Sequence, residues 1–117
     1  MAKVSFKGIG ELVVGFKANL TKEAEGKLVK MKADSEVELC ADGNKFIGKV
    51  LKYEERGIAS VQIGGYMEVV YSGADPTVGF AKLSADAAGG VKVDEVAGQE
   101  VKAVKVDATN KIVGFFI

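Results

Sequence analysis

Apolar and polar residues alternate with period two along most of this chain, in short runs bounded by Gly, Asp, Asn and Ser. In "KLVKMKADSEVELC", Val29 and Met31 alternate with Lys30 and Lys32, and Val37 and Leu39 alternate with Glu36 and Glu38. Period two on both sides of Ala33-Asp34-Ser35 predicts a hairpin with one buried face and one wet face, lysines lying opposite glutamates. "FIGKVLK" and "IASVQI" around "YEERG" predict a second hairpin, with Ala59, Val61 and Ile63 on one face and Gly57 supplying a positive φ at the turn. "YMEVVY" places Met67, Val69 and Tyr71 on one side of a further strand. "VGFAKLS", "VKVDEVAGQ", "EVKAVKV" and "IVGFFI" continue the series. Between them, "SGADPTVG", "SADAAGG" and "DATNK" are turn clusters. Ala103 and Val104 interrupt the alternation, which predicts a bulge.

A helix has little room here. "NLTKEAEGK" is the best candidate, with Asn19 or Thr21 as cap and Gly26 as stop, and at one or two turns it is marginal. The expectation is an all-β fold: a small barrel or sandwich of short antiparallel strands with Gly-rich turns and at most one short helix. Residues 1–18 read as an N-terminal arm or a first strand, and 19–117 as a single β domain. Setting Phe46 to Ile63 against Glu100 to Ile117, an offset of 54, matches apolar with apolar at six of eighteen positions, including Val50 with Val104, Ile58 with Ile112 and Ile63 with Ile117. Chance would give about four, so internal duplication is only hinted at.

Composition narrows the function classes. Sixteen basic and sixteen acidic side chains cancel, leaving no broad field for a phosphate backbone or an anionic lipid surface. The aromatics are Phe and Tyr without a basic ladder around them, which argues against nucleic acid. No run approaches the length of a membrane span, and "MAKVSFKGIG" lacks a signal-peptide core, so synthesis in a reducing cytoplasm is expected. "NLT" at Asn19 to Thr21 is a glycosylation pattern that matters only in a secreted chain.

Candidate chemistry is sparse. With no histidine and one cysteine, the usual general base, triads and zinc sites are missing. Cys40 reads as a small apolar residue. Asp42, Asp86, Asp94 and Asp107 stand singly near turns, without calcium-loop spacing, and read as turn formers. Glu54 and Glu55 share a hairpin tip, too open for paired acid and base work. "GIGE" at Gly8 to Glu11 lacks the strand-loop-helix context of a phosphate loop. No enzyme, cofactor, metal or small-molecule ligand is expected.

The order of the motifs "VELCADGNKFIGKVLKYEERGIASVQIGGYMEVVYSG", "PTVGFAKLSADAAGGVKV" and "GQEVKAVKVDATNKIVGFFI" resembles that of the small capsid decoration, or cement, proteins of tailed bacteriophages, whose short β-rich chains carry F-x-G-V … G … V-x-V-x-G twice. The likeness runs from about Leu20 to the end. At Lys49 the chain departs from it, since a small or apolar residue is expected there. The resemblance implies a structural virion protein, made in the bacterial cytoplasm, that binds the outside of an assembled shell and bridges neighbouring capsomers. Its partner would be the major capsid protein and its own state a trimer, which would also hide open β edges. Two segments are candidate interfaces. Val4, Phe6 and Ile9 lie near the N-terminus, where an arm adds to a sheet edge or forms the first strand of its own barrel. Phe115, Phe116 and Ile117 end the chain, and need burial in their own core or in a subunit interface. A tail or baseplate component, and a free-standing barrel with an apolar ligand pocket, are the alternatives.

Overall fold

A hairpin with one apolar face is marginal by itself, so the runs above must close on one another to bury that face. In a computed structural model, which describes residues 9–54 and 56–117, they close twice. β1 (Leu12–Ala18), β2 (Leu28–Ala33), β3 (Glu36–Leu39), β4 (Gly48–Glu54) and β5 (Ile58–Gly64) form one barrel in the order β1-β3-β2-β4-β5. β6 (Tyr66–Ser72), β7 (Gly79–Ala85), β8 (Val91–Val93), β9 (Gln99–Asp107) and β10 (Ile112–Phe116) form a second in the order β10-β6-β8-β7-β9. The all-β expectation holds, and the architecture is two barrels where one barrel or sandwich was expected. Leu12–Ala18 is a strand of the first barrel, the second of the two alternatives for this stretch.

All-antiparallel pairing does not survive closure. A ring with an odd number of strands cannot alternate direction all the way round, so each barrel must contain a parallel pair. These are β1 with β3, through Lys17↔Glu36 and Ala18↔Val37, and β6 with β8, through Tyr71↔Val91 and Ser72↔Lys92. The helix candidate reduces to a 3-10 turn at Lys22–Ala24, and Thr21 makes no side-chain cap.

The two barrels are structural repeats. β4 pairs with β5 through Val50↔Val61, Lys52↔Ser60 and Tyr53↔Ala59, skipping Leu51. β9 pairs with β10 through Ala103↔Phe115, Lys105↔Gly114 and Val106↔Val113, skipping Val104. The ladder and its bulge coincide. Ile58 and Ile112 are equivalent, as the offset of 54 predicts, but Val104 answers to Leu51 and not to Val50. The bulge expected at Ala103-Val104 is thereby located.

The hairpins fall where the alternation places them, with one instructive exception. Val29 and Val37 are buried, while Met31 is 43% and Leu39 38% exposed. β2 meets β4 only through Leu28 and Val29, and β3 meets β1 only through Glu36 and Val37. Beyond those residues, among the described strands, β2 and β3 pair only with each other, and Met31 and Leu39 sit on those stretches. Lys30 does lie opposite Glu38, and Lys32 pairs with Glu36 at 3.8 Å, an exposed contact of small energetic weight.

The first core is Ala18, Val29, Val37, Val50, Ala59 and Val61. The second is built on Met67, Val69, Tyr71, Leu83, Val91, Val113 and Phe115, and it also contains Leu28 and Phe46 from the first half of the chain. Leu28 is the neighbour of Val29 on β2, so its side chain points out of its own barrel and into the other. Phe46 packs edge-on against Phe115 at 6.0 Å, and its N–H donates to Gln99 Oε1 at 2.8 Å. Backbone bonds reinforce the junction: Leu28 to the Gly89 carbonyl, Gly43 to the Ala85 carbonyl, and Ala85 to the Asn44 carbonyl. Lys49 belongs to the same junction. Its ammonium donates to the Glu68 carbonyl at 3.1 Å, tying β4 to β6, and burial lowers its pKa from the ordinary lysine value. Gln62, buried on the outward side of β5, donates to the Gly64 and Tyr66 carbonyls at 3.0 and 2.7 Å.

Because the second core is completed from the first half, the chain should unfold in urea as one cooperative unit. Phe46→Ala should cost about 3–5 kcal/mol by equilibrium denaturation, the range for emptying a buried aromatic site.

Candidate interaction surface

The chemistry-bearing side chains are largely engaged in holding turns. Asp94 accepts the Ala97 and Val96 N–H groups at 2.9 and 3.2 Å and the Ser84 hydroxyl at 3.0 Å. Asp107 accepts from the Asn110 side chain at 2.9 Å and from the Thr109 and Asn110 backbone. Asp86 is buried, and takes the Ala88 and Gly90 N–H groups and the Ser72 hydroxyl. These are the turn roles that the spacing predicts. Asp42 differs: it forms an ion pair with Lys92 at 3.0 Å across the junction, while Asn44 closes the local turn by accepting the Ala41 N–H.

At one end of the second barrel, the Tyr71 hydroxyl donates to Asp75 at 2.6 Å, and the Lys111 ammonium sits 5.2 Å from the Tyr71 ring and 3.4 Å from Asp75. The hydrogen bond to Asp75, with burial behind it, pushes Tyr71 up to about 12. The same bond, aided by Lys111, holds Asp75 below the ordinary carboxylate value. The equivalent end of the first barrel is an open groove of about 550 Å³ lined by Lys17, Asn19, Glu36, Tyr53, Arg56 and Ile58. Its walls carry charges of both signs, which suits water better than an apolar ligand. Among the described residues, no group of three or more His, Cys, Asp or Glu is placed to hold a metal ion. Cys40 is half-buried with its thiol near the Lys45 carbonyl, and burial pushes it up to about 11. A thiol so protonated at neutral pH is a poor nucleophile.

The candidate interface residues separate into different settings. Val4 and Phe6 lie outside the described residues. Ile9 is 51% exposed, and its carbonyl accepts the Tyr66 N–H at 3.1 Å. Phe115 has no exposed surface; of the two alternatives for the tail, its own core is the one observed, and this side chain has nothing to offer a partner. Phe116 is half-buried against the Tyr66 ring at 5.5 Å, and Ile117 half-buried against the second core.

The larger exposed apolar side chains are elsewhere: Val96 at 97%, Phe80 at 72%, Val78 at 62% and Val70 at 60%. Phe80 shares the outward phase of β7 with Lys82, Val78 lies just before the strand, and Ala81, Leu83 and Ala85 point inward. Hydrophobicity by itself picks the wrong face, since Phe80 outweighs Ala81; Lys82, in phase with Phe80, is the signal that marks this side as wet. No family model and no curated protein matches the chain.

Two outcomes follow. Asp75, Asp94 and Asp107 are held below the usual carboxylate value, chiefly by the Tyr71 hydroxyl, the Ala97 N–H and the Asn110 amide respectively. A lowered folded-state pKa contributes stability in full above the unfolded value, about 4, that is lost as pH falls through the folded value. The urea midpoint should therefore be flat from about pH 5 to 7 and fall below about pH 4, and Asp107→Asn should shrink that acid loss. Cys40 should react with a maleimide far more slowly than free cysteine at pH 8, and at the free rate in denaturant.

Proposed function

We propose that the protein is a structural component of a tailed-phage virion that binds the outer surface of the assembled capsid and bridges neighbouring capsomers. What carries the reading beyond the sequence resemblance is the surface: large apolar side chains stand in water at Phe80 on β7, at Val78 just before it and at Val96 in a loop. Side chains of that size left in water suit adhesion to another protein. The polar groups described above are turned inward to turns and to the junction, in keeping with a protein that works through its outside.

Energetically, such a protein acts by linkage. A ligand that binds the assembled shell and not its separated subunits stabilises each site by RT ln(1 + [L]/Kd), about 2.7 kcal/mol at a hundredfold excess over Kd. Repeated over a shell, modest sites resist internal pressure together. The partner is the major capsid protein, with the decorating protein present as several copies, as trimers on the resemblance. Closed barrels alter one part of that expectation, because they leave few strand edges for a trimer to hide.

Mixing purified protein with undecorated capsids tests the reading by co-sedimentation. Saturable binding, and a shell that releases its DNA at a higher temperature, are expected. Phe80→Asp should weaken binding by about tenfold or more while leaving the fold intact, since exposed substitutions change stability by only about 0.5 kcal/mol. Absence of binding at micromolar concentration overturns it.

A further inference from the structure

The junction between the two barrels is one-sided. The first barrel contributes the outward face of β2 at Leu28 and the loop between β3 and β4, whose Gly43 and Asn44 bond to the β7 backbone at Ala85. Opposite them the second barrel sets the end of β7 and the loop that follows it, with Lys92 on β8 paired to Asp42 and Gln99 and Phe115 meeting Phe46. Repeat equivalence shows where each contact surface recurs. Met31 lies opposite Val37, which lies opposite Ala18; Ala85 lies opposite Val91, which lies opposite Tyr71. Met31 is therefore the counterpart of Ala85, and through β4 and β9, where Lys49 answers to Lys102, Leu28 is the counterpart of Phe80. The loop carrying Gly43 and Asn44 has its counterpart in Asp94–Gly98, between β8 and β9.

Had the junction been two-fold, the Asp94–Gly98 loop would cover the Met31 stretch within the same chain. It does not. Val96 at the tip of that loop is 97% exposed, and Phe80, on the face equivalent to the one that Leu28 occupies, is 72% exposed. At the other end, Lys30 to Ala33 pair only with β3, and Met31 is 43% exposed. Each molecule thus carries one used junction and an exposed counterpart of each of its two surfaces. A strand edge with one free side accepts added backbone. Lys30 and Lys32, which flank Met31, are opposite in sign to Glu95 beside Val96, while the outer β7 face also carries Lys82.

We infer that a second copy of this chain docks head to tail, the Asp94–Gly98 loop and outer β7 face of one molecule seating on the Met31 edge of β2 in the next. The occupant is the same chain because the exposed surfaces are the repeat counterparts of the pair already joined inside it. Such a contact is heterologous, with different patches on the two sides, and closes into a ring or runs on as a filament. It does not rest on the capsid reading, and its test contains no capsids.

Sedimentation velocity over a concentration series, from micromolar to near millimolar, reads the association directly. Wild-type protein should associate with rising concentration. Val96→Gly and Met31→Asp should each weaken this by about tenfold or more, the first by removing the apolar loop tip from the contact and the second by burying a charge there. Both positions are exposed, so thermal melts should match the wild type; Met31→Thr, which keeps strand propensity, replaces Met31→Asp if that variant melts early. The distinguishing experiment mixes the two variants. One has an intact Met31 edge and the other an intact Val96 loop, so the mixture should form pairs and nothing larger. Three results would each overturn the inference: a wild type that stays single throughout, association insensitive to either substitution, or a mixture no more associated than its components.

Discussion

Leu28 and Phe46 are supplied by one barrel and buried in the other, and the rest of the molecule depends on that exchange. A five-stranded barrel of this size has room for only a few large side chains, and its open end leaves them against water. Here the end of the second barrel is stoppered by a leucine and a phenylalanine whose backbone the first barrel holds in place. The second barrel is then incomplete without the first. Lys49 and Gln62 make the same point in polar terms. Each is drawn out of bulk water at the junction and satisfied by a carbonyl of the facing barrel or its linker.

Repetition of a fold does not mean repetition of its chemistry. Tyr71, Asp75 and Lys111 close one end of the second barrel with a hydrogen bond and a cation over a ring. The first barrel has a charged, open groove there. The loops after β3 and β8 have likewise diverged. One is longer and carries the phenylalanine that stoppers its neighbour; the other is shorter and lifts Val96 into water. An asymmetric molecule of two like parts is well suited to a role in which its surfaces face different partners. The capsid-binding function proposed above and the head-to-tail contact both draw on that asymmetry, through the outer face of β7 and the loops at the barrel ends.

What would serve as reactive groups in another protein is consumed by structure. Three aspartates hold turns, a fourth joins the barrels, and the one thiol is kept protonated by burial. In a short chain with many strand reversals, carboxylates placed to receive turn N–H groups contribute directly to stability. The remaining distinctive feature is apolar surface left in water.

The strands, their buried phases in "YMEVVY" and "IASVQI", the bulge at Val104 and the turn roles of three aspartates were all legible in the sequence, because each rests on neighbours a few residues apart. The period-two pattern also determined that the protein is all-β. It left undecided how many barrels form, that each must carry a parallel pair, which face of "VGFAKLS" is wet, and why Met31 and Leu39 escape burial. Those outcomes depend on which strands meet across fifty residues of chain and where a sheet ends. Local alternation reports that a side chain can be buried, whereas only the closed tertiary structure supplies, or withholds, the surface that buries it.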